Sequence, residues 1–209
     1  ERSKIINTLV NAARNGKHVV ALIELLARFD EEQNMDSART LQRAGVKVLN
    51  GIRDLKVHAK MALVERKEGH EHRGYAYIGT GNLNETTARL YSDMGLFTSH
   101  PEIVNDARSI FSFLLNTHKH FTCKRLLAAP YYMRQYFTEL IEKEISNAKK
   151  GLPAYIHAKC NTLTDEKMIR HLYLASQAGV EVKMIVRGAC CLIPQLTGVS
   201  ENIEVISIV

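Results

Sequence analysis

The chain contains no tryptophan, only four prolines, and no apolar run approaching the roughly 20 residues that a bilayer-spanning helix requires. Residues 1–15 are amphipathic and lack the apolar centre of a secretory signal, so a cytoplasmic location is the default expectation. The four cysteines, Cys123, Cys160, Cys190 and Cys191, show no Cys-x-x-Cys spacing, and an adjacent pair is poorly placed for an ordinary disulfide. Reduced thiols are therefore expected, and a structural zinc site is not. With 45% hydrophobic residues over 209 positions, the chain can bury one large core or two small ones, which argues against disorder. Lys and Arg outnumber Asp and Glu by 28 to 22, a formal charge of +6. That balance favours an anionic partner, although charge alone does not choose between nucleic acid and another polyanion.

What the chain does carry is a repeated order of elements. Residues 3–13 place Ile5, Ile6, Leu9, Val10 and Ala13 at helical spacing before Gly16, and a strand is expected from His18 onward. After the string ARFDEEQN (residues 27–34) come a helix over 35–44, the stop Gly45 and a strand over 46–49. The same order returns later: a strand over 154–160, the string NTLTDE, a helix over 167–178, the stop Gly179 and a strand over 180–186. Ala44-Gly45-Val46 and Ala178-Gly179-Val180 mark one register in both copies, which predicts two tandem α/β modules. Amphipathic helices over 102–116 and 131–149 lie between them, and the basic loop 118–125 is the expected boundary. The modules are thus read as residues 1–117 and 118–209.

The chemistry is concentrated in Val57-His58-Ala59-Lys60 followed by Gly79-Thr80-Gly81-Asn82. Residues 57–64 read as a strand, on which His58 and Lys60 share a face. A neutral imidazole can attack phosphorus, while a lysine ammonium and the Asn82 amide can hold the oxygens over which charge spreads. A polar loop over 65–73 and a second strand over 74–79 would return Asn82 to the same place through a hairpin.

His-x-Lys, an acidic residue five positions later (Glu65) and Gly-x-Gly-Asn together resemble the catalytic motif of the phospholipase D superfamily, which usually has Asp where Glu65 stands. The longer strings ARFDEEQN, LKVHAKMALV, GTGNLNETTARLYSDMGLFT (residues 79–98) and VRGACCLIP (residues 186–194) resemble the polyphosphate kinases, over nearly the whole chain. The resemblance implies α/β architecture with two tandem phospholipase D-like modules, each a mixed sheet flanked by helices. It implies transfer of the terminal phosphate of ATP to polyphosphate through a phosphohistidine at His58, with Mg2+ on the nucleotide phosphates. ATP, ADP and inorganic polyphosphate are the implied partners, and nucleic acid is not one. For the full-length parent, a homo-oligomer and peripheral membrane association are further expectations.

Residue by residue, the resemblance makes His58, Lys60 and Asn82 catalytic. Asp93 would bond the far imidazole nitrogen of His58 and fix its tautomer, with an ordinary loop cap as the competing explanation. Tyr91 and Arg187 would contact the nucleotide. Arg28 belongs to the phosphate and magnesium site, and since a guanidinium has no lone pair, its contact must run through a phosphate oxygen. Lys159 and Asn161 are expected to line the same basin from the second module, against a plain solvated lysine. Asp30 and Glu31 are read as a solvated acidic face, and His70, His72, His118 and His120 as surface residues. Cys190 and Cys191 are read as packing residues.

His157-Ala158-Lys159 copies the tripeptide at His58 but falls on the opening strand of its repeat, whereas His58 comes after its repeat is complete. It is therefore read as a decoy. The strand equivalent to that of His58 would fall near or beyond 204–209, which together with the opening glutamate leads to the expectation of an excised fragment. A phosphodiesterase of the phospholipase D type and a non-catalytic polyanion-binding module remain the alternatives.

Overall fold

A computed structural model describes residues 3–24, 31–52 and 55–208 of the chain. They divide into two compact units, Glu1–Leu126 and Leu127–Val209.

The first unit opens with α1 (Lys4–Arg14), β1 (Val20–Leu22), α2 (Glu31–Arg43) and β2 (Lys47–Leu49). β1 and β2 pair in parallel, and Val10, Leu41 and Val46 are buried among Ile6, Leu9, Ala21 and Val48. Leu41 is fully buried, worth about 2–3 kcal/mol for a side chain of its size. The second part is an antiparallel meander of β3 (Lys60–Glu68), β4 (Glu71–Gly79) and β5 (Gly95–Thr98), with α3 (Pro101–Leu115) against one face. Met61, Leu63 and Ala76 point to Val104 and Ala107 of α3. The opposite face carries Lys60, Ala62, Val64, Tyr75, Tyr77, Gly79, Gly95 and Phe97, as the pairings Lys60↔Gly79↔Gly95 and Ala62↔Tyr77↔Phe97 require. α3 does not cover that face, and Phe97 is 81% exposed.

The second unit comprises α4 (Met133–Lys149), β6 (Tyr155–Cys160), α5 (Glu166–Gln177), β7 (Glu181–Val186) and β8 (Ile203–Ile206). Its three strands are all parallel, in the order β6-β7-β8. Val182, Met184, Val186 and Ile203 face Ile141 of α4 and Ile169, Leu172 and Ala175 of α5. Asp165 caps α5, accepting a hydrogen bond from the Met168 N–H at 3.0 Å.

The α/β class is as expected, and so is the repeat. In both copies the helix ends the same way: the N–H of Val46 returns to the Leu41 carbonyl and that of Val180 to Ala175, across glycines at φ 87° and 90°. This double-bonded terminator requires a left-handed residue, which explains the glycine in each Ala-Gly-Val mark. Among the described residues, the parallel pairs β1-β2 and β6-β7-β8 and the antiparallel meander β3-β4-β5 form separate sheets flanked by helices. The segment 65–73 is no loop. β3 and β4 pair without a break from Lys60↔Gly79 to Glu68↔Glu71, joined by Gly69 and His70 alone. At the other end β3 starts at Lys60, so His58 lies in the lead-in and not within the strand.

Residues 116–126 fold back on α3. Phe121 packs on Phe113 with ring centroids 4.9 Å apart. The buried Asp106 carboxylate accepts from the backbone N–H groups of Lys124, Arg125 and Leu126 at 2.7–3.0 Å. Burial alone would raise the Asp106 pKa, but these three donors and the charge of Lys124 bring it below its ordinary value. Asp106→Ala should cost about 3 kcal/mol of first-unit stability, because it orphans three donors and not one. The contribution is present at neutral pH and lost as pH falls through the lowered folded-state pKa, where the carboxylate takes up its proton. Urea unfolding of the two proteins at pH 7 measures this, and equal midpoints would contradict it.

Candidate active site

His58 and Lys60 meet at the end of the meander that carries β3's first residue. Lys60 Nζ donates to the His58 carbonyl oxygen at 2.7 Å and lies 3.1 Å from His58 Nδ1. The charge of Lys60 is the main reason the His58 pKa is lowered, followed by partial burial and the charge of Lys56. These effects all disfavour the protonated ring and so favour the neutral form, which has a nucleophilic lone pair. The Lys60 pKa is also lowered, first by burial, while Asp93 acts in the opposite sense and Lys56 adds to the lowering. An ammonium bonded to Nδ1 donates to it, which places the neutral ring's proton on Nε2 in this arrangement.

The Gly-x-Gly-Asn turn follows β4 directly. A Cβ on Gly79 would strike the Tyr77 hydroxyl and one on Gly95 the edge of the Tyr77 ring, so the two glycines make the slot in which that side chain lies beside the site. Asn82 is exposed, and its carbonyl accepts from the Asn84 N–H at 2.8 Å. The next residues are anchored on both sides. Asn84 Oδ1 accepts from the N–H groups of Thr86 and Thr87, and Glu85 accepts from the Lys4 N–H at the start of α1, at 2.8 Å. A carboxylate there also complements the positive end of the helix. A cleft of about 420 Å³ lies between this loop and the carboxyl end of β1, lined by Leu22, Ile23, Asn34 and Leu83 among others.

Asp93 is placed differently from the expectation. Its Oδ1 accepts from the Thr80 hydroxyl at 3.0 Å, and its charge is felt by Lys60, but no Asp93 to His58 hydrogen bond is seen among the described residues. Tyr91 lies two residues earlier and is 55% exposed. Glu65, the acidic member of the motif, is five residues along β3 from Lys60 and forms an ion pair with Arg108 of α3, at 2.5 Å. It braces the meander and does not touch the histidine. Arg28 and Asp30 lie outside the described residues, while Glu31 opens α2. In the second unit, Arg187 follows β7 and donates through Nε to Asn161 Oδ1 at 2.7 Å, while Lys159 is exposed near the end of β6. These lie at the carboxyl ends of parallel strands, the usual ligand side of α/β sheets.

His157 sits within β6, where its Nε2 lies 3.2 Å from Glu181 Oε1, and Lys183 reaches the same oxygen at 3.2 Å. It belongs to a surface ladder of polar side chains across β6 and β7. Among the described residues no group of three or more His, Cys, Asp or Glu is placed to hold a metal ion, and no helix is long and apolar enough to cross a membrane. Thr80 was not singled out from the sequence, although it fills the variable place of Gly-x-Gly-Asn. A hydroxyl at that place was the available signal.

Family models match the whole described site: residues 1–120 match polyphosphate kinase C-terminal domain 1, and residues 126–209 match C-terminal domain 2. Polyphosphate kinases of Salmonella typhimurium and Synechocystis are 48% and 49% identical over 207 residues, 99% of this chain. The chain spans only 30% and 28% of their respective lengths. The crystal structure of polyphosphate kinase from Porphyromonas gingivalis superposes with a TM-score of 0.85 at 44% identity, over 98% of this chain and 34% of that one.

Proposed function

The chain belongs to the polyphosphate kinase family, and we propose that, within a polypeptide of the relatives' length, it carries the reversible transfer of the terminal phosphate of ATP to polyphosphate. The observation that carries this reading is Lys60 Nζ 3.1 Å from His58 Nδ1, a cation placed so that it favours the neutral ring. Arriving phosphate oxygens compete for that ammonium. As Lys60 turns to them, the Nδ1 lone pair that it held is released; Nε2 gains its own lone pair only if the ring proton moves to Nδ1.

The imidazole nitrogen then attacks the γ-phosphorus of ATP, the bond from phosphorus to the bridging oxygen breaks, and its electron pair leaves with ADP. In the second step the terminal oxygen of a polyphosphate chain attacks the same phosphorus. The nitrogen to phosphorus bond breaks, and neutral His58 returns. Lys60 and the Asn82 amide hold the equatorial oxygens, where charge is greatest in the transition state. Tyr91 offers an exposed ring for the nucleotide, and Arg187 offers donors suited to its phosphates. Mg2+ carried on the nucleotide phosphates would neutralise part of their charge, a role that would need few protein ligands. We place this activity in the cytoplasm.

The test is incubation of such a polypeptide with labelled ATP and magnesium. Acid-insoluble labelled polymer and stoichiometric ADP are expected, with polyphosphate binding that weakens steeply as salt is raised, as counterion release requires. Hydrolysis of a lipid or nucleic acid phosphodiester, with no ATP-dependent polymer, would favour a phospholipase D-type reaction and refute the proposal.

A further inference from the structure

Thr80 is bonded on every side to the segment that carries Asp93. Its N–H donates to the Met94 carbonyl at 3.0 Å, and its hydroxyl oxygen accepts from the Met94 N–H at 3.0 Å. The hydroxyl proton goes to Asp93 Oδ1 at 3.0 Å, with the Met94 carbonyl at 3.4 Å as the weaker acceptor. The second carboxylate oxygen lies over Gly81: a Cβ there would fall 2.1 Å from Asp93 Oδ2. One oxygen is thus tied by Thr80, and the other lies where only a glycine leaves room. Asp93 is exposed, so without these restraints its side chain would be free to exchange rotamers.

We propose that Thr80 is a positioning residue for phosphoryl transfer, acting with Gly81 to hold the Asp93 carboxylate at the end of the meander where Lys60 pairs with Gly79 and Gly79 with Gly95. The proposal rests on the phosphoryl-transfer reading and adds a residue to it. Asp93 is the anion that favours the charged form of Lys60, opposing burial and Lys56. Thr80 itself needs no contact with substrate.

The experiment compares phosphoenzyme formation from labelled ATP in the full-length polypeptide for Thr80→Ser, Thr80→Val, Asp93→Asn and the Val/Asn double variant. Thr80→Val should slow labelling about 10- to 100-fold, the scale of a catalytic group displaced by an ångström or less, with nucleotide affinity within about twofold. Thr80→Ser, which keeps the hydroxyl, should stay within about threefold of wild type. The decisive comparison is the double variant: if Thr80 acts through Asp93, adding Thr80→Val to Asp93→Asn slows labelling no further. Effects that multiply, or a Thr80→Ser protein as slow as Thr80→Val, would overturn the proposal. Thr80→Ala replaces the valine variant in the same cycle should the latter not fold. His58→Ala runs alongside: undiminished labelling there means that the phosphoryl-transfer reading has failed, whereas lost labelling with multiplying Thr80 and Asp93 effects removes only the positioning role.

Discussion

His58→Ala is expected to lower ATP-dependent polymer formation by about 10³-fold or more, because removing a covalent nucleophile removes the pathway and not merely one stabilising contact. His157→Ala should leave the rate within about twofold of wild type. The two histidines begin near-identical tripeptides, yet the structure treats them differently. His58 stands in the lead-in to β3, where its ring meets Lys60 and the glycine turn follows on the neighbouring strand. His157 is inside β6 and lies against Glu181, whose carboxylate also pairs with Lys183. Exposed pairs of that kind contribute little, so folding should also be nearly unchanged. Steady-state assays of both variants beside wild type decide the matter, with a melting curve to confirm folding. Comparable losses in the two variants would contradict the assignment.

Lys60→Met is expected to produce the second large effect, a fall in turnover of about 100- to 1,000-fold, the usual scale for removing one charged donor from a developing anion. It should have a second, independent signature. The Lys60 charge is the largest cause of the lowered His58 pKa, so its removal must raise that pKa toward the ordinary 6.5. The sign follows directly: below its pKa the ring is protonated and has no lone pair, so the acid limb of the activity profile should move to higher pH in the variant. NMR titration of the imidazole measures the shift without any turnover. A His58 pKa that is unchanged or lower in Lys60→Met would show that the ammonium does not set the state of the ring.

Much of this arrangement is legible in the sequence because it depends on short-range chemistry. The two Ala-Gly-Val marks predict helix ends that the structure builds with identical hydrogen bonds, since only a glycine enters the left-handed turn cheaply. The spacing of His58 and Lys60 places them on one side of the chain, and the hairpin brings the glycine turn beside them. The far end of the hairpin was hidden for a physical reason: Arg66, Lys67, Glu68, His72 and Arg73 are polar on both faces, so no alternation marks the strand. There the pairing is supported instead by backbone ladder bonds, the Arg73 to Glu68 ion pair and the Tyr75 hydroxyl on Glu68 at 2.9 Å. The early start of α2 at Glu31 was likewise masked by the motif ARFDEEQN, although Glu31 and Glu32 suit the first turn of a helix.

Tertiary partners are less readable than periodicity. Nothing in the linear pattern says that Thr80 and not His58 donates to the Asp93 carboxylate. Asp106 is spaced like any helix carboxylate, and its three partners lie 18–20 residues away. The fold-back of residues 116–126 follows from that pairing, and the compact units divide after Leu126, beyond the basic loop read as the boundary.

The most direct test of the phosphohistidine claim is the position of the phosphate itself. The full-length polypeptide is labelled with ATP and magnesium, digested without acid to preserve a phosphoramidate, and sequenced by mass spectrometry with fragmentation that keeps the modification in place. Phosphate on the peptide containing Val57-His58-Ala59-Lys60, localised to His58, is the predicted result; phosphate on His157 or on any other residue, with His58 unmodified, would contradict it.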